Sequence, residues 1–207
     1  QEAQRMKLTS LLERLEYEVR QGSDEIEVTE LVNDSRKVTE GSVFVCISGA
    51  VSDGHTYVEE VAGKGAKAVI VEKPVEAPEG VTVIHVDDTR YALALMSAAY
   101  FGYPAEKLHV IGITGTKGKT TTTYMVKSIL EAAGHNVGLI GTIEAVIGDK
   151  TIPANNTTPE SYTIHKYFAE MVGAGCDSVV MEVSSQGLML HRTAGIQFEI
   201  GIFTNLG

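Results

Sequence analysis

The chain is 207 residues long, enough for one large or two small domains, and its 43% hydrophobic and 21% charged content is that of a globular protein able to bury a core. A net charge of −10 argues against a broad nucleic-acid-binding face, and 6% aromatic residues without Trp argue against a base-stacking platform. No apolar run approaches the roughly 18 residues of a membrane span, and no secretory signal opens the chain. Cys46 and Cys176 form no C-x-x-C pair and are expected as buried free thiols of a reduced, cytoplasmic protein. Met6 is a candidate natural start, which would leave residues 1–5 as an extension.

Leu8, Leu11, Leu12, Leu15 and Val19 recur at helical spacing, with Thr9 or Ser10 as the cap. Strands are expected at 28–32 and 42–47. "YVEEVAGKGAKAVIVE" gives a helix, a glycine stop and a strand at 68–71. "VTVIHV" is a further strand, and 89–101 a helix with Pro104 beyond its end. A second unit starts near Leu108, with a β-branched strand at 110–114, a helix at 119–133 stopped by Gly134, and a strand at 137–140. "TIEAVIGDKTI" folds back at Gly148-Asp149 as a hairpin. Pro159 is expected in the first turn of the next helix, which runs to about Ala174. "SVVMEV" and "EIGIFT" read as two more buried strands. Alternating strands and helices of this kind make an α/β protein.

The chemistry concentrates in "VIGITGTKGKTTTTYMVKSILEAAG", a strand, a glycine-bearing turn and a helix. The spacing G-x-x-x-x-G-K-[ST] would need glycine at 113, where the chain has Ile113. A shorter turn built on Gly115-x-x-Gly118 accounts for the departure. Glycines let backbone N–H groups converge, and the helix aims its positive end at the bend. Lys119 can neutralise phosphate oxygens and the Thr120 hydroxyl can hold magnesium. Glu182, ending a buried strand, is a second magnesium candidate. Thr157, Thr158, Ser184 and Arg192 lie in polar loops and offer donors to an anionic substrate, although capping and turn chemistry explains such clusters as well. The six histidines show no H-x-x-x-H spacing and are read as non-ligands. There is no G-x-S-x-G elbow, and no N-K-x-D guanine reader of a GTPase switch.

Together these residues resemble the Mur ligase family of ATP-dependent amide-forming enzymes. "GTKGKTT" at 115–121 matches the family's short loop G-T-x-G-K-T-T, which folylpolyglutamate synthases share; many members carry Asn where this chain has Lys117. The stretch from "NDSRKVTEGS" through "VAGKGAKAVIVE" is similar to the domain that grips the uridine nucleotide in the MurE and MurF branches. "NNTTPES" and "MEVSSQGLMLHR" resemble the MurE branch, with its pattern E-V-S-S-H-[AG]-L-x-x-x-R. Gln186 replaces the common His, and Leu190 stands where some relatives have Gln. The resemblance runs from about Met6 to Leu206.

The resemblance implies a small N-terminal α/β UDP-binding domain over 1–107. It implies the first part of a P-loop-type doubly wound, mostly parallel sheet domain over 108–207, with the C-terminal amino-acid-binding domain absent. The implied activity adds a diamino acid, meso-diaminopimelate or L-lysine, to UDP-N-acetylmuramoyl-L-alanyl-D-glutamate in cytoplasmic peptidoglycan synthesis. Position by position, Gly115, Thr116, Lys117, Gly118, Lys119, Thr120 and Thr121 would hold ATP. Lys119 and Glu182 would serve catalysis, and Thr120 and Glu182 would bind Mg2+. Ser35, Asn156, Thr157, Thr158, Ser184 and Arg192 would hold the UDP-muramoyl dipeptide. The family's Asp-His pair and carbamylated lysine lie beyond "FTNL", so the chain alone is expected to bind ligand weakly and not to ligate. A MurF-type or folylpolyglutamate-type ligase and a non-catalytic UDP-sugar module are the rival readings. No nucleic acid or membrane partner is expected, and a monomer is the default.

Overall fold

A computed structural model describes residues 5–207. The chain forms two compact units, the first ending at Tyr100 and the second beginning at Phe101. Among the described residues no helix is long and apolar enough to cross a membrane.

The first unit runs β1 (Met6–Lys7), α1 (Leu8–Leu12), β2 (Glu18–Gln21), β3 (Glu27–Val28), β4 (Leu31–Val32), a 3-10 turn (Ser35–Lys37), β5 (Val43–Val45), a second 3-10 turn (Gly54–Tyr57), α2 (Val58–Gly63), β6 (Ala68–Val71), β7 (Thr82–His85) and α3 (Thr89–Tyr100). Its five-stranded sheet has the order β2-β7-β6-β5-β4. The four strands from β4 to β7 are parallel, and β2 joins the edge antiparallel. Phe44, Cys46, Val69, Val71 and Val83 pack with Val58 and Val61 of α2 in one core.

Two expectations fail here. The helix expected over 8–19 stops at Leu12, with Thr9 and Ser10 inside it and Lys7 at its cap. Val19 lies in β2 instead and is 41% exposed. Helical spacing over Leu15 and Val19 is overridden because β7 offers β2 a ladder, which an isolated last turn cannot match. The single strand expected over 28–32 is two, β3 pairing with β1 and β4 with β5, so the chain changes sheets at Thr29-Glu30.

The second unit runs through a 3-10 turn (Pro104–Lys107), β8 (His109–Thr114), α4 (Lys119–Ala132), β9 (Val137–Ile140), β10 (Glu144–Ile147), β11 (Lys150–Pro153), α5 (Ser161–Gly173), β12 (Ser178–Glu182), α6 (Ser185–Met189) and β13 (Ile200–Phe203). Its six-stranded sheet has the order β11-β10-β9-β12-β8-β13. Strands β9, β12, β8 and β13 are parallel, while the β10–β11 hairpin adds an antiparallel edge. Period-two alternation sorts the two faces. Val179 and Met181 meet Ile164, Phe168 and Met171 of α5. Val180, with Ile111 and Ile113, lies under Val126 and Leu130 of α4. Both faces are therefore covered, as a doubly wound sheet requires. The carboxyl ends of β8, β9 and β12 lie side by side, so the loops that follow them share one edge.

Three details depart from expectation. Pro159 precedes the N-cap Glu160 rather than sitting in the first turn of α5. "EIGIFT" is not a buried strand: β13 pairs with β8 alone among the described strands, leaving Ile200 52% and Phe203 63% exposed. The stretch after β12, read as loop, holds α6, capped by Ser184 Oγ accepting from Gly187 N at 3.0 Å. The expected free thiols are found, Cys46 in the first core and Cys176 in the second.

His165 on α5 is 1% exposed, and neither ring nitrogen has a hydrogen-bond partner. Its ring packs edge-on against Phe168, centroids 5.9 Å apart. Burial pushes the imidazole down from its ordinary 6.5 to about 4. The unfolded chain therefore takes up a proton near 6.5 that the folded chain refuses until about 4. Stability from this group is full above the higher value and falls as pH drops toward the lower one. His165→Leu is expected to raise unfolding stability at neutral pH by about 1–2 kcal/mol. It should also flatten the pH dependence across that window, read as urea midpoints between pH 4 and 7.5.

Candidate active site

The glycine turn expected to hold phosphate leaves β8 at Thr114 and enters α4 at Lys119. Gly115 (φ +135°) and Gly118 (φ +84°) both occupy the positive-φ region, and Gly118 caps the helix. Ile113 is fully buried inside β8, so a glycine there would only remove core. A Cβ on Gly115 would lie 2.1 Å from Thr204 Oγ1, so close approach adds to the backbone demand. Thr122 N bonds back to Gly118 O at 3.0 Å, so the amides of Lys119, Thr120 and Thr121 are the orphan donors of the first turn. The Lys119 ammonium folds back onto Gly115 O at 2.7 Å, across the mouth of the loop.

Glu182 ends β12 and is only 1% exposed. A carboxylate so placed needs donors. Thr120 Oγ1 donates to Oε1 at 2.9 Å. Thr142, just past β9, donates its backbone N–H to Oε2 at 2.5 Å and its hydroxyl to Oε1 at 3.1 Å. A Cβ on the neighbouring Gly141 would lie 2.5 Å from Oε2. The structure thus joins the two candidate magnesium residues and adds Thr142, which the sequence reading missed. Its only local signal is a threonine behind a strand-end glycine.

Beside this carboxylate opens a polar cavity of about 290 Å³ lined by Thr142, Asn155, Asn156, Thr157, Thr158, Ser184, Gln186 and Arg192. Five of the expected substrate residues, Asn156, Thr157, Thr158, Ser184 and Arg192, therefore share one wall. Some of their polar atoms are already engaged. Thr158 Oγ1 donates to Glu182 O at 2.9 Å and accepts from Ser184 N at 2.9 Å. The Arg192 guanidinium donates to Thr158 O and to Glu160 Oε1, each at 2.9 Å. These contacts brace the wall. Asn156 and the Thr157 hydroxyl, 3.1 Å from Thr142 Oγ1, face the cavity from the loop before α5.

Ser35 belongs to the first unit. It opens the 3-10 turn capped by Asp34, whose carboxylate accepts the Arg36 backbone N–H and both arms of the Arg36 fork at 2.8–3.0 Å. Arg36 holds the Asp34 carboxyl down at about 2. Lys64 Nζ fixes Ser35 O at 2.9 Å. In the "DGH" of the same unit, His55 Nδ1 meets Asp53 Oδ1 at 2.7 Å and Nε2 accepts from Glu72 N at 3.0 Å. The ring proton therefore sits on Nδ1. Lys73 Nζ and then His55 hold the Asp53 carboxyl well below the usual carboxylate range.

Two family profiles match the chain: "Mur ligase middle domain" over residues 113–207 and "Mur ligase family, catalytic domain" over residues 27–101. A Clostridium perfringens relative named UDP-N-acetylmuramoyl-L-alanyl-D-glutamate--2,6-diaminopimelate ligase is 53% identical over 201 residues, 97% of this chain and 42% of the relative. The protein of that name from Clostridium tetani is 48% identical over 204 residues, with the same coverage. The chain spans about two fifths of the length of these curated relatives. A solved structure of a ligase of the same name aligns with a TM-score of 0.82 at 22% identity, covering 99% of this chain and 41% of that one. MurF from Thermotoga maritima, in complex with ADP, aligns at 0.55 and 24% identity, covering 86% and 38%. At such identities the likeness speaks for the fold.

Gly141→Ala is expected to force its methyl into the Glu182 carboxylate and to lower unfolding stability by about 1–3 kcal/mol. Gly201→Ala in β13, where a Cβ would meet open space at an ordinary φ, is the control for a generic glycine effect. Chemical denaturation of both variants checks it; equal losses would sink the account.

Proposed function

From the premise that this chain belongs to the Mur ligase family, we propose that it carries the nucleotide-handling part of a diamino-acid ligase. The protein it belongs to joins meso-diaminopimelate to UDP-N-acetylmuramoyl-L-alanyl-D-glutamate at the expense of ATP, in the cytoplasm. The observation that carries this reading is the contact between Thr120 of the phosphate loop and Glu182, with the Asn156–Thr157 cavity next to it. The names of the two Clostridium relatives support diaminopimelate as the added amino acid.

In this reading the first unit, through Ser35, holds the uridine diphosphate. Asn156, Thr157 and Gln186 line the seat of the dipeptide end. The chemistry is phosphoryl transfer followed by acyl transfer. The D-glutamate carboxylate attacks the γ-phosphorus of ATP and ADP leaves. The amine of the diamino acid then displaces phosphate from the activated carbonyl. A carboxylate alone is a poor acyl donor, which is why ATP is consumed.

The chain's own groups fit these demands. Lys119 swings from Gly115 O to the β- and γ-phosphate oxygens, exchanging a neutral acceptor for a charged one. The orphan amides of Lys119, Thr120 and Thr121 receive phosphate oxygens at the positive end of α4. Thr120 Oγ1 and Glu182 Oε1, 2.9 Å apart, are the hard oxygen donors that suit Mg2+, which when bound offsets charge on the transferred phosphoryl group. Thr142 keeps the Glu182 carboxylate aimed at that position through two hydrogen bonds.

Calorimetry with MgATP and with the UDP-muramoyl dipeptide tests the reading. Lys119→Ala is expected to weaken ATP binding about 10–100-fold, the worth of a charge-assisted contact, and to leave uridine-ligand affinity unchanged. Glu182→Gln should remove the magnesium dependence of ATP affinity. A chain that binds the uridine ligand, ignores ATP and is indifferent to Lys119→Ala would be a UDP-sugar module instead.

A further inference from the structure

The phosphate loop does not hold its shape alone. It is gripped by the residues that follow β13, about ninety positions away in sequence. Asn205 O accepts from Thr116 N at 3.0 Å, and Asn205 Oδ1 accepts from Lys117 N at 3.1 Å. Asn205 Nδ2 donates to Lys117 O at 3.0 Å. The Thr204 hydroxyl lies 2.7 Å from Lys117 O and 3.3 Å from Thr114 O, so its one proton goes to Lys117 O. Lys117 thus has its N–H and both lone pairs of its carbonyl satisfied by two adjacent residues. Gly115 is the other half of the fit, since a side chain there would strike Thr204 Oγ1 and the Asn205 backbone.

From this geometry we infer that Thr204 and Asn205 are positioning residues for nucleotide binding: they clasp the Thr116–Lys117 segment so that the loop's phosphate-binding amides begin at Gly118. The argument rests on the phosphate-loop reading above and sharpens it. The amides of Thr116 and Lys117 are already engaged by Asn205 and are not offered to a phosphate. In a trans peptide the N–H points opposite to the C=O. Holding Lys117 O against Thr204 and Asn205 therefore turns Gly118 N–H away from the clasp. The donors left are Gly118 and the first turn of α4, where the helix dipole adds to them.

The clasp is also a thermodynamic link. If the seated loop binds nucleotide better than a loose one, nucleotide must in turn tighten the clasp by the same factor. The segment after β13 would then be more ordered when ATP is bound, with no contact between that segment and the ligand.

Amide hydrogen exchange and nucleotide titration on the 207-residue chain test the inference. Asn205→Ala is expected to speed exchange at the Lys117 amide about tenfold and to weaken MgATP about tenfold, the worth of one or two neutral hydrogen bonds. Its thermal midpoint should stay within about 2 °C of the parent, because Asn205 is exposed and outside both cores. Thr204→Val, which removes only the hydroxyl, should lower MgATP affinity in the same direction by a smaller factor. Asn205→Asp keeps an acceptor for Lys117 N–H but sets an oxygen where Nδ2 donated to Lys117 O, so it should regain only part of the Lys117 protection that Asn205→Ala loses. Unchanged exchange at Lys117 in Asn205→Ala, or unchanged MgATP affinity in a parent that binds it, overturns the clasp. A parent that binds no nucleotide while Lys117 responds as described overturns the phosphate-loop reading and leaves the clasp as a fact of the fold.

Discussion

The second unit is organised around one buried carboxylate. Every residue of β12 is buried, and Glu182 closes it. A charge at that depth is tolerated only when its oxygens are hydrogen-bonded, and here the donors come from the first turn of α4 and from the residue just past β9. Thr120 follows β8 and Thr142 follows β9, while the Glu182 carbonyl takes the Thr158 hydroxyl. Three loops are thereby tied at one point. The phosphate loop and the polar cavity form one hydrogen-bonded assembly, running from Thr157 through Thr142 and Glu182 to Thr120. The absence of a side chain at Gly141 makes this possible.

Much of this was legible in the residues. Gly115, Gly118, Lys119 and Thr120 mark the strand–turn–helix expected of a phosphate loop because its demands are local: positive φ, a strand before and a helix after. The polar stretches "NNTTP" and "EVSSQGL" were visible as clusters. Their meeting around one cavity needed β12 to sit between β8 and β9, and strand order is not written in any short window. Thr142 and Asn205 escaped for that reason. Each acts on a partner forty or more positions away, and nothing in its own neighbourhood marks it. The same cause explains the misread first helix. Leu8 to Val19 satisfies the helical period, yet Val19 is claimed by a strand partner more than sixty residues later.

The first unit shows how a motif can act through shape. In "DGH" the histidine is pinned at both nitrogens, to Asp53 and to the backbone of Glu72. It braces the turn from within, as the Asp34–Arg36 fork braces the turn at Ser35. Motif residues can thus act by holding the backbone around them in place. Arg192 makes the same point in the second unit, since its guanidinium holds the cavity wall through Thr158 O and Glu160.

The two cysteines have a practical consequence. Cys46 lies in the core of the first unit, fully buried, with its thiol pushed up to about 12, and Cys176 lies at 8% exposure in the core of the second. A thiol reagent therefore meets neither group at speed until the surrounding structure opens. With one such residue in each unit, the chain carries two built-in clocks. Following the two modifications by peptide mass times the opening of each unit in a single sample, without engineered labels, and shows whether a ligand seated on one unit slows the other.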